Sequence, residues 1–276
     1  MSGKFKTKKR LGQNFLRSKT LIEEIVAGSG ISENDLVIEI GPGLGALTQE
    51  AAKAARRLIA VEIDSELIPV LQTKFALSPN VTIIEGDILE TDIRAMIDDA
   101  KAEDPGIENV RVIGNLPYYI TTPIIMKLIG EDLPIESITI MMQKEVAERL
   151  QASPGGKDYG ALTVAVGYRC EVSRICDAPA EEFYPKPKVD SRVLQLTMRK
   201  EKAVAPKDEK IFFDCVKAGF SQRRKTLANC LAQLAGGDKA RAAQILEAAG
   251  IDPSRRAETL TMEEFRAVAD GFAAEG

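Results

Sequence analysis

The sequence predicts an α/β protein: a doubly wound, mostly parallel sheet followed by a small all-helical C-terminal domain. Three observations predict it. Apolar runs of strand length alternate with helical patterns between residues 35 and 150. The first run ends in the glycine loop Gly41-Pro42-Gly43-Leu44-Gly45-Ala46, and the second ends in an acid, Glu62. Composition then shifts at 200–208 (K-E-K-A-V-A-P-K-D), after which the pattern is helical to the end. A chain of 276 residues can hold one large domain, or a large one plus a small one. The expected division is a basic N-terminal arm (1–20), a sheet domain (21–199) and a helical domain (207–276).

Each element follows from its local pattern. Residues 20–27 are helical. Asp35 to Ile40 is a buried strand, the glycine loop follows, and a helix runs from about Leu47 to Ala55. Leu58 to Ile63 and Val81 to Ile84 are the next strands, the latter closed by Gly86-Asp87. Residues 91–101 are helical. Val110, Val112 and Ile113 form a fourth strand, which Gly114 and Pro117 are expected to end. Thr122-Pro123 opens a helix to about Gly130, Ser137 to Met142 is a strand, and Lys144 to Leu150 a helix. Leu162 to Tyr168 reads as helix, and Glu171 to Ala178 and Val193 to Met198 as the last two strands. In the C-terminal part, Ile251-Asp252-Pro253 and Thr261 both read as helix starts.

Composition narrows the chemistry. There is no histidine, so imidazole-based triads are excluded and a zinc site would need unusual ligands. The four cysteines show no C-x-x-C pair, which fits reduced thiols in the cytoplasm. No signal peptide or membrane-length apolar run is evident. Net charge is −4, yet residues 1–20 carry seven cations and no acid, leaving −11 for the remainder. Local patches, not the total, attract phosphate.

Strand, glycine loop, helix, strand and acid come in the order of a βαβ nucleotide-binding unit. Glycines bring a ligand against bare peptide groups, and the following helix start offers unpaired N–H donors. Glu62 at a strand tip can accept from two ribose hydroxyls, and Asp87 from the exocyclic amine of an adenine. Gly-Asp is also ordinary turn chemistry. The stretch Asn115-Leu116-Pro117-Tyr118 ends a strand in an amide, a proline and an aromatic ring, which reads either as a site at the sheet edge or as a strand cap. Phe183-Tyr184-Pro185-Lys186-Pro187-Lys188 mixes aromatics, prolines and lysines, suiting a rigid loop that contacts a base and phosphates. Lys8, Lys9 and Arg10, and Arg223-Arg224-Lys225, are basic clusters that face either RNA or solvent.

In this order, L-G-Q-N-F-L (11–16), E-I-G-P-G-L-G (39–45), V-E-I-D (61–64), G-D (86–87), N-L-P-Y (115–118), M-Q-K-E-V (142–146), F-Y-P-K-P-K-V-D-S (183–191) and S-Q-R-R-K-T (221–226) resemble the bacterial small-subunit ribosomal RNA adenine N6-dimethyltransferases, the KsgA/RsmA family, over nearly the whole chain. The resemblance implies a Rossmann-like methyltransferase sheet and S-adenosylmethionine as cofactor. Asn14, Leu16, Gly41, Gly43, Glu62, Asp87 and Asn115 would line its site, with the N-terminal arm closing over it. Asn115, Leu116, Pro117, Tyr118 and Phe183 would form the catalytic set. The Asn115 side-chain oxygen and the Leu116 carbonyl would accept the N–H groups of adenine N6, and Tyr118 and Phe183 would cover the base. Lys8, Lys9, Arg10, Lys186, Lys188, Arg223, Arg224 and Lys225 would bind RNA. The implied partner is the small ribosomal subunit and its 16S RNA, met by a cytoplasmic monomer with no metal and no membrane.

Three other readings remain. A dinucleotide-dependent oxidoreductase accounts for Gly41-x-Gly43-x-x-Ala46 and Glu62, but gives Asp87 and the Asn115 turn no task. A large-subunit ribosomal RNA adenine methyltransferase of the antibiotic-resistance type shares the cofactor and N-L-P-Y motifs. A ribosome-assembly factor with secondary catalysis would use the same basic segments.

Overall fold

The computed structural model describes residues 13–275. Two compact units divide the chain. One holds residues up to 147 together with 172–198, and the other holds 148–171 together with 199 onwards.

The first unit is built on a seven-stranded sheet. Helix α1 (Lys19–Gly28) leads into the central strand β2 (Asp35–Ile40), all six residues of which are buried. A short strand β1 (Phe15–Leu16) precedes both. The glycine loop follows β2 and opens α2 (Ala46–Ala51). Then come β3 (Arg57–Glu62), α3 (Ile68–Lys74), β4 (Val81–Glu85) and α4 (Ile93–Glu103), the last capped by Asp92, whose carboxylate accepts from the Ala95 N–H at 2.9 Å. β5 (Asn109–Asn115), α5 (Thr121–Gly130) and β6 (Ser137–Gln143) complete the parallel part. After α6 (Lys144–Leu150) and α7 (Ala161–Arg169), β7 (Cys170–Ala178), the two-residue β8 (Phe183–Tyr184) and β9 (Ser191–Met198) finish the strands.

The sheet order is β4-β3-β2-β5-β6-β9-β7, with β2, β3, β4, β5 and β6 parallel and β9 antiparallel to β6. The chain winds outward from β2 through β3 and β4, then returns to the other side of β2 as β5. In open α/β sheets a crevice opens at such a switch point, outside the carboxyl ends of the strands. Gly41, Glu62, Asp87 and Asn115 all lie at those ends.

β5 runs through Gly114 instead of stopping there. Gly114 pairs with Ile40, and a Cβ at Gly114 would sit 2.9 Å from the Ile40 carbonyl oxygen, so glycine here permits close strand approach. Asp35 is fully buried in the core, where the Arg111 Nε donates to it at 2.7 Å and the Asn109 amide at 3.0 Å. Burial alone would raise its carboxyl; those hydrogen bonds, with one from the Ser32 N–H, outweigh burial and hold it below the usual carboxylate range.

The second unit is helical. Tyr168 stacks on Phe212, and Phe212, Val216, Leu227, Leu231, Leu246, Leu260, Phe265 and Val268 fill its core. Its helices are α7, α8 (Glu209–Phe220), α9 (Leu227–Leu231), α10 (Lys239–Ala248) and α11 (Met262–Glu275). Thr261 starts α11 through a reciprocal box with Glu264: the Thr261 N–H donates to the Glu264 carboxylate at 2.8 Å, and the Glu264 N–H to the Thr261 hydroxyl at 3.2 Å. Ile251-Asp252-Pro253 does not start a helix. It forms a turn, because Asp252 accepts from the Ser254 N–H at 2.8 Å and the carbonyls of Pro253 and Arg255 are taken by the first N–H groups of α9. All four cysteines are free and buried. No helix among the described residues is long and apolar enough to cross a membrane.

Candidate functional site

A cleft of about 420 Å³ opens at the switch point of the first unit. Its walls include Gln13 to Arg17, Glu39 to Leu44, Glu62, Ile63, Gly86 to Ile88, Asn115 to Pro117, Ile120 and Tyr184. Of the residues predicted to hold a cofactor, Asn14, Leu16, Gly41, Gly43, Glu62, Asp87 and Asn115 all stand in these walls.

Glu62 is 4% exposed, and each of its oxygens accepts one backbone N–H, from Gly43 at 3.1 Å and from Asp64 at 2.9 Å. Burial raises its proton affinity above the ordinary range, and those amides pull it back. Asp87 accepts from the Leu89 N–H at 2.9 Å through Oδ1. At Gly41 the backbone φ is +66°, and nothing lies within 4 Å of where a Cβ would be, leaving room for a ligand against the peptide.

The arm that reaches the cleft is pinned from both sides. The Asn115 amide Nδ2 donates to the Asn14 carbonyl at 2.9 Å, and the Gln13 amide donates to Asp64 at 2.7 Å. β1 pairs antiparallel with β8, Phe15 opposite Tyr184 and Leu16 opposite Phe183. Leu16 and Phe183 turn into the core, at 7% and 4% exposure. Asn115 Oδ1 and the Leu116 carbonyl accept no hydrogen bond among the described residues, and both residues line the cleft.

Tyr118 and Phe183 are not cleft-wall residues. The half-buried Tyr118 hydroxyl shares a hydrogen bond with Ser191 at 2.9 Å, and Phe183 packs in the core of the first unit. Lys186 pairs with Glu181, while Lys188 is exposed. In the second unit Arg223, Arg224 and Lys225 are exposed, with Arg223 3.7 Å from Glu258. Lys8, Lys9 and Arg10 lie outside the described residues.

Two functional residues escaped the sequence reading of individual side chains. Glu39 is 1% exposed, lines the cleft, and its Oε2 takes no hydrogen bond; neither does Thr48 Oγ1. Burial pushes its carboxyl up to about 7, the charge of Glu62 adds to that, and the dipoles of Thr48 and the charge of Lys74 oppose it. Lys74 donates to the carbonyls of Leu44 and Gly45, both at 2.9 Å, tying the glycine loop to α3. The available signal was the position of Glu39, two residues before Gly41; for Lys74 there was none, since the contact spans about thirty residues. A buried carboxylate with one unpartnered oxygen, two further acids and bare backbone at Gly41 fit a cationic nucleoside ligand. Among the described residues no group of three His, Cys, Asp or Glu side chains could hold a metal ion.

Residues 4–269 match the family described as ribosomal RNA adenine dimethylase. A protein of Shouchella clausii (strain KSM-K16) named ribosomal RNA small subunit methyltransferase A is 48% identical over 270 residues, covering 97% of this chain and 90% of that protein. Its namesake in Geobacillus thermodenitrificans (strain NG80-2) is 48% identical over 271 residues, covering 97% and 92%. Among solved structures, a dimethyladenosine transferase from Plasmodium falciparum superposes with a TM-score of 0.76 at 25% identity, over 92% of this chain and 95% of that one. The 23S rRNA methyltransferase ErmE superposes at 0.69 with 26% identity, over 94% and 100%. The match spans the cleft, the Asn115 turn and nearly all of both units, and the chain belongs to the ribosomal RNA adenine dimethylase family.

Proposed function

We propose that the chain transfers methyl groups from S-adenosylmethionine to N6 of two adjacent adenosines near the 3′ end of small-subunit (16S) ribosomal RNA, giving N6,N6-dimethyladenosine during ribosome biogenesis in the cytoplasm. The observation that carries the reading is the Asn115 turn. Its amide nitrogen is committed to the Asn14 carbonyl, which leaves the side-chain oxygen out of that bond; on this reading that oxygen and the Leu116 carbonyl would be the two acceptors. The small-subunit relatives support the choice of RNA.

The residues divide the work. Glu62 accepts the ribose hydroxyls, Asp87 the adenine amine of the cofactor, and Gly41 admits the ligand to the backbone. Glu39 faces its positive charge. The bound cofactor supplies an electrophilic sulfonium methyl whose leaving group is a neutral thioether.

The reluctant partner is adenine N6, whose lone pair is delocalised into the ring. Asn115 Oδ1 and the Leu116 carbonyl accept its N–H groups and favour a pyramidal nitrogen with its lone pair free for in-line displacement. Pro117 fixes the turn and has no N–H to compete for those acceptors. The alkylated nitrogen has then spent its lone pair, is strongly acidic, and loses its proton to water without a base. Tyr118 stacks on the extruded base, and Phe183 serves from the core by seating Leu16 against β8.

The test is transfer from labelled S-adenosylmethionine to purified under-methylated ribosomal subunits, with mapping of the modified base. Label in dimethyladenosine on small subunits is expected. The likeness to ErmE favours one second reading, methylation of large-subunit RNA. Label on large subunits alone would establish that reading instead.

A further inference from the structure

We propose that Arg17 and Tyr184 form a second base-binding step at the mouth of the cleft, which receives the nucleotide beside the target adenosine. The inference rests on the reading that the target adenine enters at the Asn115 turn.

The pairing of β1 with β8 sorts side chains by face. Residues directly opposite each other in an antiparallel pair project to the same side, and the sides alternate along each strand. Leu16 and Phe183 go to the core. Phe15 and Tyr184 therefore share the opposite face, and the Phe15 ring on it meets the glycine loop, 2.9 Å from where a Gly43 Cβ would be. Arg17, two residues beyond Phe15, extends that face, and its N–H donates to the Glu182 carbonyl at 2.9 Å. Its guanidinium lies 5.6 Å from the Tyr184 ring centroid.

Tyr184 is 58% exposed although it lines the same cleft as Asn115 and Pro117. Arg17 is exposed and has no ion pair among the described residues. An exposed aromatic ring on a paired strand, with a guanidinium over it, offers one plane to a base and one cation to its phosphate, the recurring equipment of single-strand recognition. A target base extruded at Asn115 breaks its stacking with its neighbour, and a ring at the cleft mouth replaces that stack.

The experiment compares the full chain with Tyr184→Leu, Tyr184→Phe and Arg17→Gln, using under-methylated small subunits as substrate and calorimetry for S-adenosylmethionine. Leucine keeps apolar bulk and removes the π face. Tyr184→Leu is expected to raise KM for the subunits about tenfold, with cofactor Kd unchanged and Tyr184→Phe like the parent. Arg17→Gln is expected to reduce the slope of log affinity against log salt by about 0.7. An unchanged KM in Tyr184→Leu would overturn the inference, as would a parallel loss of cofactor binding, which would make Tyr184 a cofactor roof. Failure of the parent reading shows separately, as an Asn115→Ala protein that still turns over.

Discussion

The Asn115 side chain donates to the backbone carbonyl of Asn14, 101 residues earlier, at 2.9 Å. One hydrogen bond thus joins the end of β5 to the segment just before β1, and both residues line the cleft. The arm cannot leave without freeing the amide, and a rotated amide would present its N–H groups to N6.

Glu62 anchors the glycine loop through Gly43 and lines the cleft, where the proposed function gives it the ribose hydroxyls. Glu62→Ala is expected to weaken S-adenosylmethionine binding at least about tenfold, since hydrogen bonds to a charged group contribute about 1.5–3 kcal/mol each. Calorimetric titration measures this. Unaltered affinity would remove Glu62 from the cofactor site.

Glu39 gives a pH signature in the absence of cofactor. Its folded value of about 7 lies above the ordinary 4.5. Between those values the folded protein holds a proton the unfolded chain has released, so stability falls as pH rises through that window. The penalty is complete above pH 7 and amounts to about 3 kcal/mol. Glu39→Gln cannot ionise, and is expected to be more stable than the parent at pH 8 by up to that amount and to gain less than about 1 kcal/mol at pH 5. Urea unfolding at the two pH values decides it; the same difference at both would mean that the Glu39 carboxyl does not titrate with folding.

Asp35, fully buried, and Arg111, partly buried, form a charge pair in the central strands. Arg111→Met leaves the carboxylate without its cation and is expected to cost about 3–5 kcal/mol in unfolding free energy, the usual effect of breaking such a pair from one side. A loss under 1 kcal/mol would show that Asn109 and Ser32 suffice.

In the second unit Arg223 is partly committed to Glu258 and to the Lys157 carbonyl, whereas Arg224 and Lys225 have no ion pair among the described residues. Replacing Arg224 and Lys225 with glutamine is expected to lower the salt slope of RNA binding by about 1.5, and replacing Arg223 alone by less. An unchanged slope in the double variant would place that cluster on solvent.

The central sheet was legible because each strand is a short apolar run bounded by glycine, proline or acid, and because β2, the glycine loop and β3 keep a fixed local order. The acids Glu62 and Asp87 were legible for the same reason: they sit where runs end. What was hidden depends on residues far apart in sequence. β1 and β8 are two residues each and separated by well over a hundred, too short for any periodicity. Residues 148–171 group with the C-terminal helices, which a division at 199 does not anticipate. Gly114 read as a strand end because glycine lacks strand propensity, but the spacing to Ile40 outweighs propensity there. Asp252-Pro253 read as a helix start on local chemistry that serves a turn equally well. The proton affinity of Glu39 comes from burial, which no local pattern encodes.

The most direct test of the account is single-turnover methylation of under-methylated small subunits by Asn115→Ala, with S-adenosylmethionine binding measured on the same protein. Loss of a transition-state hydrogen bond predicts a rate lowered by about 10²–10³ with RNA binding retained. A rate near that of the parent would contradict the assignment of the Asn115 turn as the place where methyl and adenine meet.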